Sequence, residues 1–114
     1  MAVLTVANSS RASNGVDLAG AAAAGGGDSF PNTGYEVLVI KNGDISSKTL
    51  TVQTPGTVDG LAVADLTATI AAGETRMLGP FPIGTYNDGN SRVNLTYSDV
   101  TSVTVKVVKV SPAN

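Results

Sequence analysis

The chain predicts a single all-β domain: an antiparallel β-sandwich of about seven strands, preceded by an extended N-terminal arm. Three observations carry this. Apolar residues alternate with polar ones in short runs, which is the two-residue period of a strand lying on a core. Gly, Pro, Asn and Asp separate the runs at the spacing of turns, and no stretch carries a convincing helical period. Threonine recurs on the outward positions and only 4% of the residues are aromatic, which points to a thin two-layer body.

Ala2 to Ala7 reads as a short strand of open register, with Val3 on one side and Leu4 and Val6 on the other. From Asn8 to Gly27 the composition turns to Ser, Asn, Ala and Gly, and Ala19 to Gly27 is too short and glycine-broken to stand as a helix. Residues 1–28 therefore read as a strand and flexible arm, and residues 29–114 as the sandwich. The arm is either a solvated tail or a segment that orders against a partner. Val3, Leu4 and Val6 favour the second, because a solvated tail has little use for them.

Asp28 to Gly34 reads as a loop in which Pro31 sets its own φ and pushes Phe30 toward extended geometry. Tyr35 to Asn42 is the best strand in the chain. One face carries Tyr35, Val37, Val39 and Lys41, the other Glu36, Leu38, Ile40 and Asn42, so both faces are apolar at mid-strand and both expect cover. Asn42-Gly43 ends it as a turn. Lys48 to Thr54 alternates, with Leu50 and Val52 inward and Thr49, Thr51 and Gln53 outward.

Pro55 to Asp65 has no regular period and reads as a long excursion with Val58, Leu61 and Val63 tucked down. Leu66, Ala68 and Ile70 alternate with Thr67 and Thr69, and Ala71 to Glu74 turns the chain into Thr75 to Leu78, a hairpin in the simple reading. Gly79 to Gly84 holds two prolines that would remove ladder donors, so it is a rigid loop offering Phe81 and Ile83. Tyr86 to Asn90 is a turn. Val93, Leu95 and Tyr97 alternate with Asn94 and Thr96, and in the last strand Val103, Val105 and Val107 oppose Val108 and Val110. The pattern is that of an immunoglobulin-like or jelly-roll-like sandwich.

Composition narrows the function. With 114 residues the chain is long enough for one core without staples, and without cysteine it has none to form. No histidine is present either, which removes the commonest general base and the commonest transition-metal ligand. An enzyme is not expected, and neither is a cofactor. The net charge of −2 and the scattered Lys and Arg leave no stripe for a phosphate backbone, so nucleic acid is not an expected partner. No apolar run reaches the roughly 20 residues of a membrane span, so no membrane partner is expected, and the N-terminus lacks the pattern of a secretion signal. The expectation is a soluble product made inside the cell.

Possible chemical motifs each have a plainer reading. Asn87-Asp88-Gly89-Asn90 spaces oxygen ligands closely, but these are also the residues of a tight turn, and the terminal Glu of a calcium loop is missing. Asp59 and Asp65 flank an apolar loop and offer an acid and base pairing, yet no pocket is marked around them. Gly25-Gly26-Gly27 lacks the Lys-Ser/Thr of a phosphate loop. Asn8-Ser9-Ser10 and Asn94-Leu95-Thr96 fit the glycosylation pattern by chance frequency. No metal site and no catalytic residue is expected.

A resemblance adds to this. Asp28-Ser-Phe-Pro-Asn-Thr-Gly34, Val37-Leu-Val-Ile-Lys-Asn-Gly43, Thr69-Ile-Ala-Ala-Gly-Glu-Thr-Arg76, Gly79-Pro-Phe-Pro82 and Tyr86-Asn-Asp88 occur in this order before a valine-rich strand. Together they resemble small capsid decoration, or head cement, proteins of tailed bacteriophages, over about residues 28 to 110. The resemblance implies a virion protein made in the host cytoplasm and seated on the outer capsid surface. It would bind the major capsid protein and act as a homo-oligomer, with a trimer favoured. The contact residues it implies are Val3, Leu4 and Val6 of the arm and the proline-bounded Phe30-Pro31 and Pro80-Phe81-Pro82, although Phe30 and Phe81 also suit a plain role as plugs of the core. Two other readings compete: an immunoglobulin-like adhesion or spacer module of a bacterial surface protein, and a head-fibre or tail component of the same virion.

Overall fold

The computed structural model describes residues 2–9 and 15–110. In chain order its elements are β1 (Ala2–Val3), β2 (Val6–Asn8), β3 (Ala21–Ala22), β4 (Asp28–Pro31), β5 (Glu36–Asn42), β6 (Lys48–Val52) and β7 (Thr57–Val58). There follow β8 (Leu61–Ala62), β9 (Leu66–Ile70), β10 (Thr75–Leu78), a single helical turn α1 (Ile83–Tyr86), β11 (Arg92–Tyr97) and β12 (Val103–Lys109). Seven strands of four to seven residues form the body, six of them where the sequence places strands, and five segments of two or three residues decorate it.

Two sheets face each other. The first has the order β1-β4-β11-β6-β9; the second has β10-β5-β12, with β2 and β3 sharing the far edge of β12. Phe30, Leu50, Val52, Ile70, Val93 and Leu95 from the first sheet meet Leu38, Ile40, Val103, Val105 and Val107 from the second in one core. Burial of side chains of this size stabilises by roughly 1.5–3 kcal/mol each. The molecule measures 42 × 41 × 21 Å, and its thin dimension suits two layers about 10 Å apart with their side chains.

β5 occupies the middle of the second sheet, paired with β10 along Leu38–Lys41 and with β12 along its whole length. Its Glu36, Leu38, Ile40 and Asn42 face is buried, as the alternation requires. The opposite face is covered at Val39 by the arm, whose Leu18, Ala19 and Gly20 pass over it and leave a cleft of about 260 Å³. Pro55 to Asp65 lies elsewhere, since Gly56 N–H donates to Thr85 O.

Several local expectations are corrected. Asp28–Pro31 is a strand, not a loop, because β11 on one side and β1 on the other accept its ladder. Its one proline, Pro31, is tolerated as the last residue of the strand, where pairing ends. β9 and β10 do not form a hairpin: β9 pairs with β6 in one sheet and β10 with β5 in the other, so residues 71–74 turn a corner between layers. Leu61 is not tucked down but 72% exposed. Asp59 and Gly60 both take positive φ, 51° and 78°, and make a two-residue hairpin of β7 and β8.

Asn42 is more than the end of a turn. It is fully buried, and its Nδ2 donates to Ser46 O (2.8 Å) and Ile70 O (3.0 Å) while its Oδ1 accepts from Asp44 N–H (3.0 Å). Its backbone is paired as well, N–H to Glu74 O and O from Gly73 N–H. One side chain thus ties β5 of the second sheet to the end of β9 and to the loop that enters β6, both belonging to the first.

The arm is built into the sandwich. β1 pairs in parallel with β4, Leu4 is buried in the core, and β2 then pairs in parallel with Val107–Lys109 of β12, so residues 2–8 step from one sheet to the other and close that side of the body. Further on, β3 pairs with Thr104 and Val105 of the same strand, and Ala23 enters the core. Gly27 has φ +96°, and a Cβ there would stand 2.5 Å from Leu95 O, so only glycine lets the arm turn into β4 at this approach. The Asp28 carboxylate accepts from Ala24 N–H and from the Tyr97 hydroxyl at 2.7 Å, which fixes the same turn.

Candidate contact surface

One end of the sandwich collects both proline-bounded loops. β4 delivers residues 31–35 there and β10 delivers residues 79–87, and the two are joined beneath the surface by aromatic rings. Phe30 and Phe81 lie 5.9 Å apart between centroids, and Phe81 meets Tyr86 edge-on at 5.3 Å. Such pairs add about 0.5–1.5 kcal/mol to the burial of their rings.

Polar groups clasp the loops above the rings. Asn32 Nδ2 donates to Phe81 O (3.0 Å) and Asn87 Oδ1 (2.7 Å), and Asn87 Nδ2 returns a bond to Asn32 O (3.0 Å). Asn32 Oδ1 accepts from Gly34 N–H, closing an Asx turn. The buried Glu36 carboxylate accepts from Thr33 N–H at 2.7 Å, from the Thr33 hydroxyl and from Tyr35 N–H. Asp88 caps the neighbouring turn: the Asn94 amide, then the N–H groups of Asn90 and Arg92, hold its carboxyl below the usual range. These bonds use the oxygens that a calcium ion would need, so this segment is a turn.

Among the polar Thr33, Asn90 and Ser91, this end presents a group of apolar side chains to solvent. Pro31, Tyr35, Pro80, Pro82, Ile83 and Val110 are exposed, Val110 N–H donates to Tyr35 O, and the Gly34 backbone lies against Ile83. The Gly79–Pro80 peptide is cis. The arm reaches the same end, where Ser9 N–H donates to Lys109 O.

The structure places the eight residues proposed from sequence in two groups. Phe30, Phe81 and Leu4 are buried and act as core plugs, with Val6 partly buried on the edge of the second sheet. Pro31, Pro80 and Pro82 are exposed together at the loop end, while Val3 is exposed apart from them, on the edge of the first sheet in register with Ser29. Sequence reasoning named Ile83 as offered by its loop but did not place it with Tyr35 and Val110 on one surface. It also missed Asn32, Glu36 and Asn87 as the groups that hold them. Asn-Thr-Gly at 32–34 is the signal that was present, an Asx-turn sequence beside a carboxylate on the inward face of a strand.

No acid–base site emerges around the carboxylates noted in the sequence. Asp65 is engaged by Thr54 N–H (3.0 Å) and the Thr54 hydroxyl (3.1 Å), and Asp59 sits at the hairpin tip. Among the described residues no three His, Cys, Asp or Glu side chains are grouped to hold a metal ion. Comparison with protein-family models, with curated proteins and with solved structures gives no match.

Proposed function

We propose that this chain is a non-enzymatic structural virion protein that binds the outer surface of an assembled phage capsid and stabilises contacts between major capsid subunits. The observation that carries the reading is the loop end, where exposed proline, tyrosine, isoleucine and valine side chains rest on loops held rigid by buried rings and paired amides. A rigid apolar patch loses little conformational entropy on docking. Repetition over a shell lets weak single contacts sum. The sequence resemblance to decoration proteins supports the same reading and favours a trimer.

Sedimentation with capsids that lack the protein tests this. The purified chain should pellet with such capsids saturably and should raise the temperature at which they open. A chain that stays in the supernatant at every ratio would sink the proposal. Recovery of the native protein from cell envelopes and not from virions would favour the adhesion or spacer reading instead.

A further inference from the structure

The outer face of the second sheet has a chemistry of its own. Register places Thr75 and Met77 of β10, Val39 and Lys41 of β5, and Thr104 and Lys106 of β12 side by side on it. Met77 is 70% exposed, Leu18 of the arm stands exposed at the wall of the cleft over Val39, and Lys41 lines the same cleft. Neither Lys41 nor Lys106 has an ion-pair partner among the described residues, and the β-strand positions of this face between Lys41 and Lys106 carry no carboxylate. The cleft on this face is lined by Leu18, Ala19, Gly20 and Val39, with Thr75, Thr104 and the positive charge of Lys41 beside them.

The complementary surface is on the same chain. The β7–β8 hairpin leaves Leu61 exposed, and Asp59 at its tip has no ion-pair partner among the described residues. The Asp59-Gly60 turn, with both residues at positive φ, holds leucine and carboxylate in fixed relation. An exposed large apolar side chain beside an unpaired charge matches an apolar hollow beside an unpaired opposite charge.

We propose that the β7–β8 hairpin of one copy docks on the outer face of the second sheet of another, with Leu61 in the cleft between Val39 and Leu18 and Asp59 beside Lys41. The two surfaces differ, so the contact is heterologous and propagates from copy to copy until a ring closes. It uses none of Pro31, Tyr35, Pro80, Pro82, Ile83 and Val110, and it concerns the protein alone, so its failure and the failure of shell binding are separate results.

Light scattering on the full chain over a range of concentrations and salt tests this, with circular dichroism as the check on folding. The wild-type mass should exceed that of one 11.4 kDa chain and fall on dilution. Added salt should weaken association, because the charge pair is exposed. Lys41→Glu and Asp59→Lys should each weaken association about tenfold, and the double variant should recover most of the loss. Leu61→Ser should abolish association at any salt. A single-chain mass at all concentrations would overturn the proposal. So would association that is unchanged in Leu61→Ser, or single charge variants whose combination restores nothing.

Discussion

Two buried polar residues at the end opposite the proline loops decide how the layers are joined, and neither is apparent as such in the sequence. Asn42 reads as turn chemistry because Asn-Gly is a turn pair, yet its amide satisfies carbonyls from two other segments. Asn42→Ala leaves Ser46 O, Ile70 O and Asp44 N–H without their partner, and should destabilise by about 3 kcal/mol in urea unfolding. Lys48, a charged residue in phase with the inward Leu50 and Val52, is 3% exposed, with Nζ at 2.7 Å from both Asp44 and Asp99. The hydrogen bond from Lys48 is the main cause that lowers both carboxyls, Asp99 to about 2. Groups whose folded pKa is depressed favour folding above their unfolded value near 3.8 and lose that contribution as pH falls through the folded value. Stability should therefore drop between pH about 4 and about 2, and Asp99→Asn should flatten that part of the profile. The Lys48 ammonium is raised by the same bonds, Asp44 first, so its contribution holds through neutral pH and fades only above its ordinary value of 10.5.

At the scale of elements, alternation located β5, β6, β9, β11 and β12 and their inward faces, because a two-residue period records which face meets the core. It could not assign partners. Whether Thr75–Leu78 pairs with β9 or β5 depends on the corner that Asn42 and Gly73 make, a contact between residues 31 positions apart. Asp28–Pro31 was hidden for a different reason: four residues containing a proline carry too little pattern, and only the ladder partners define them. The Asp59-Gly60 hairpin was not read from the sequence: Asp-Gly between apolar residues is a strong hairpin signal, but the absence of a period on either side obscured it. The arm covers the outer edges of β4 and β12, which would otherwise present unpaired backbone groups. Removing residues 1–9 should lower the unfolding midpoint and promote aggregation, seen as faster amide exchange at Val107–Lys109 and as added scattering. Phe81→Ala should cost about 3–5 kcal/mol in denaturant unfolding, because it empties the space between Phe30 and Tyr86.

For the whole molecule, the chain changes sheet at five of the six connections between the seven body strands. The body is thus sewn together at both ends: Asn42 and the Lys48 pair bind one, and the Phe30–Phe81 rings and the Asn32–Asn87 clasp bind the other. Composition was informative at this scale, since few aromatics and many threonines predict the thin two-layer shape that is observed. The contact surface was only partly legible. Proline marks rigid loops in sequence, but that Pro31 and Pro80–Pro82 converge, with Tyr35, Ile83 and Val110 between them, follows from the topology alone. The central claim is that this end is the one that seats on a shell. A reconstruction of capsids decorated with the purified protein tests it most directly: the account predicts sandwich-shaped density on the outer surface with residues 31–35 and 79–87 against the capsid subunits, and density oriented with those loops toward solvent, or none on the shell, would contradict it.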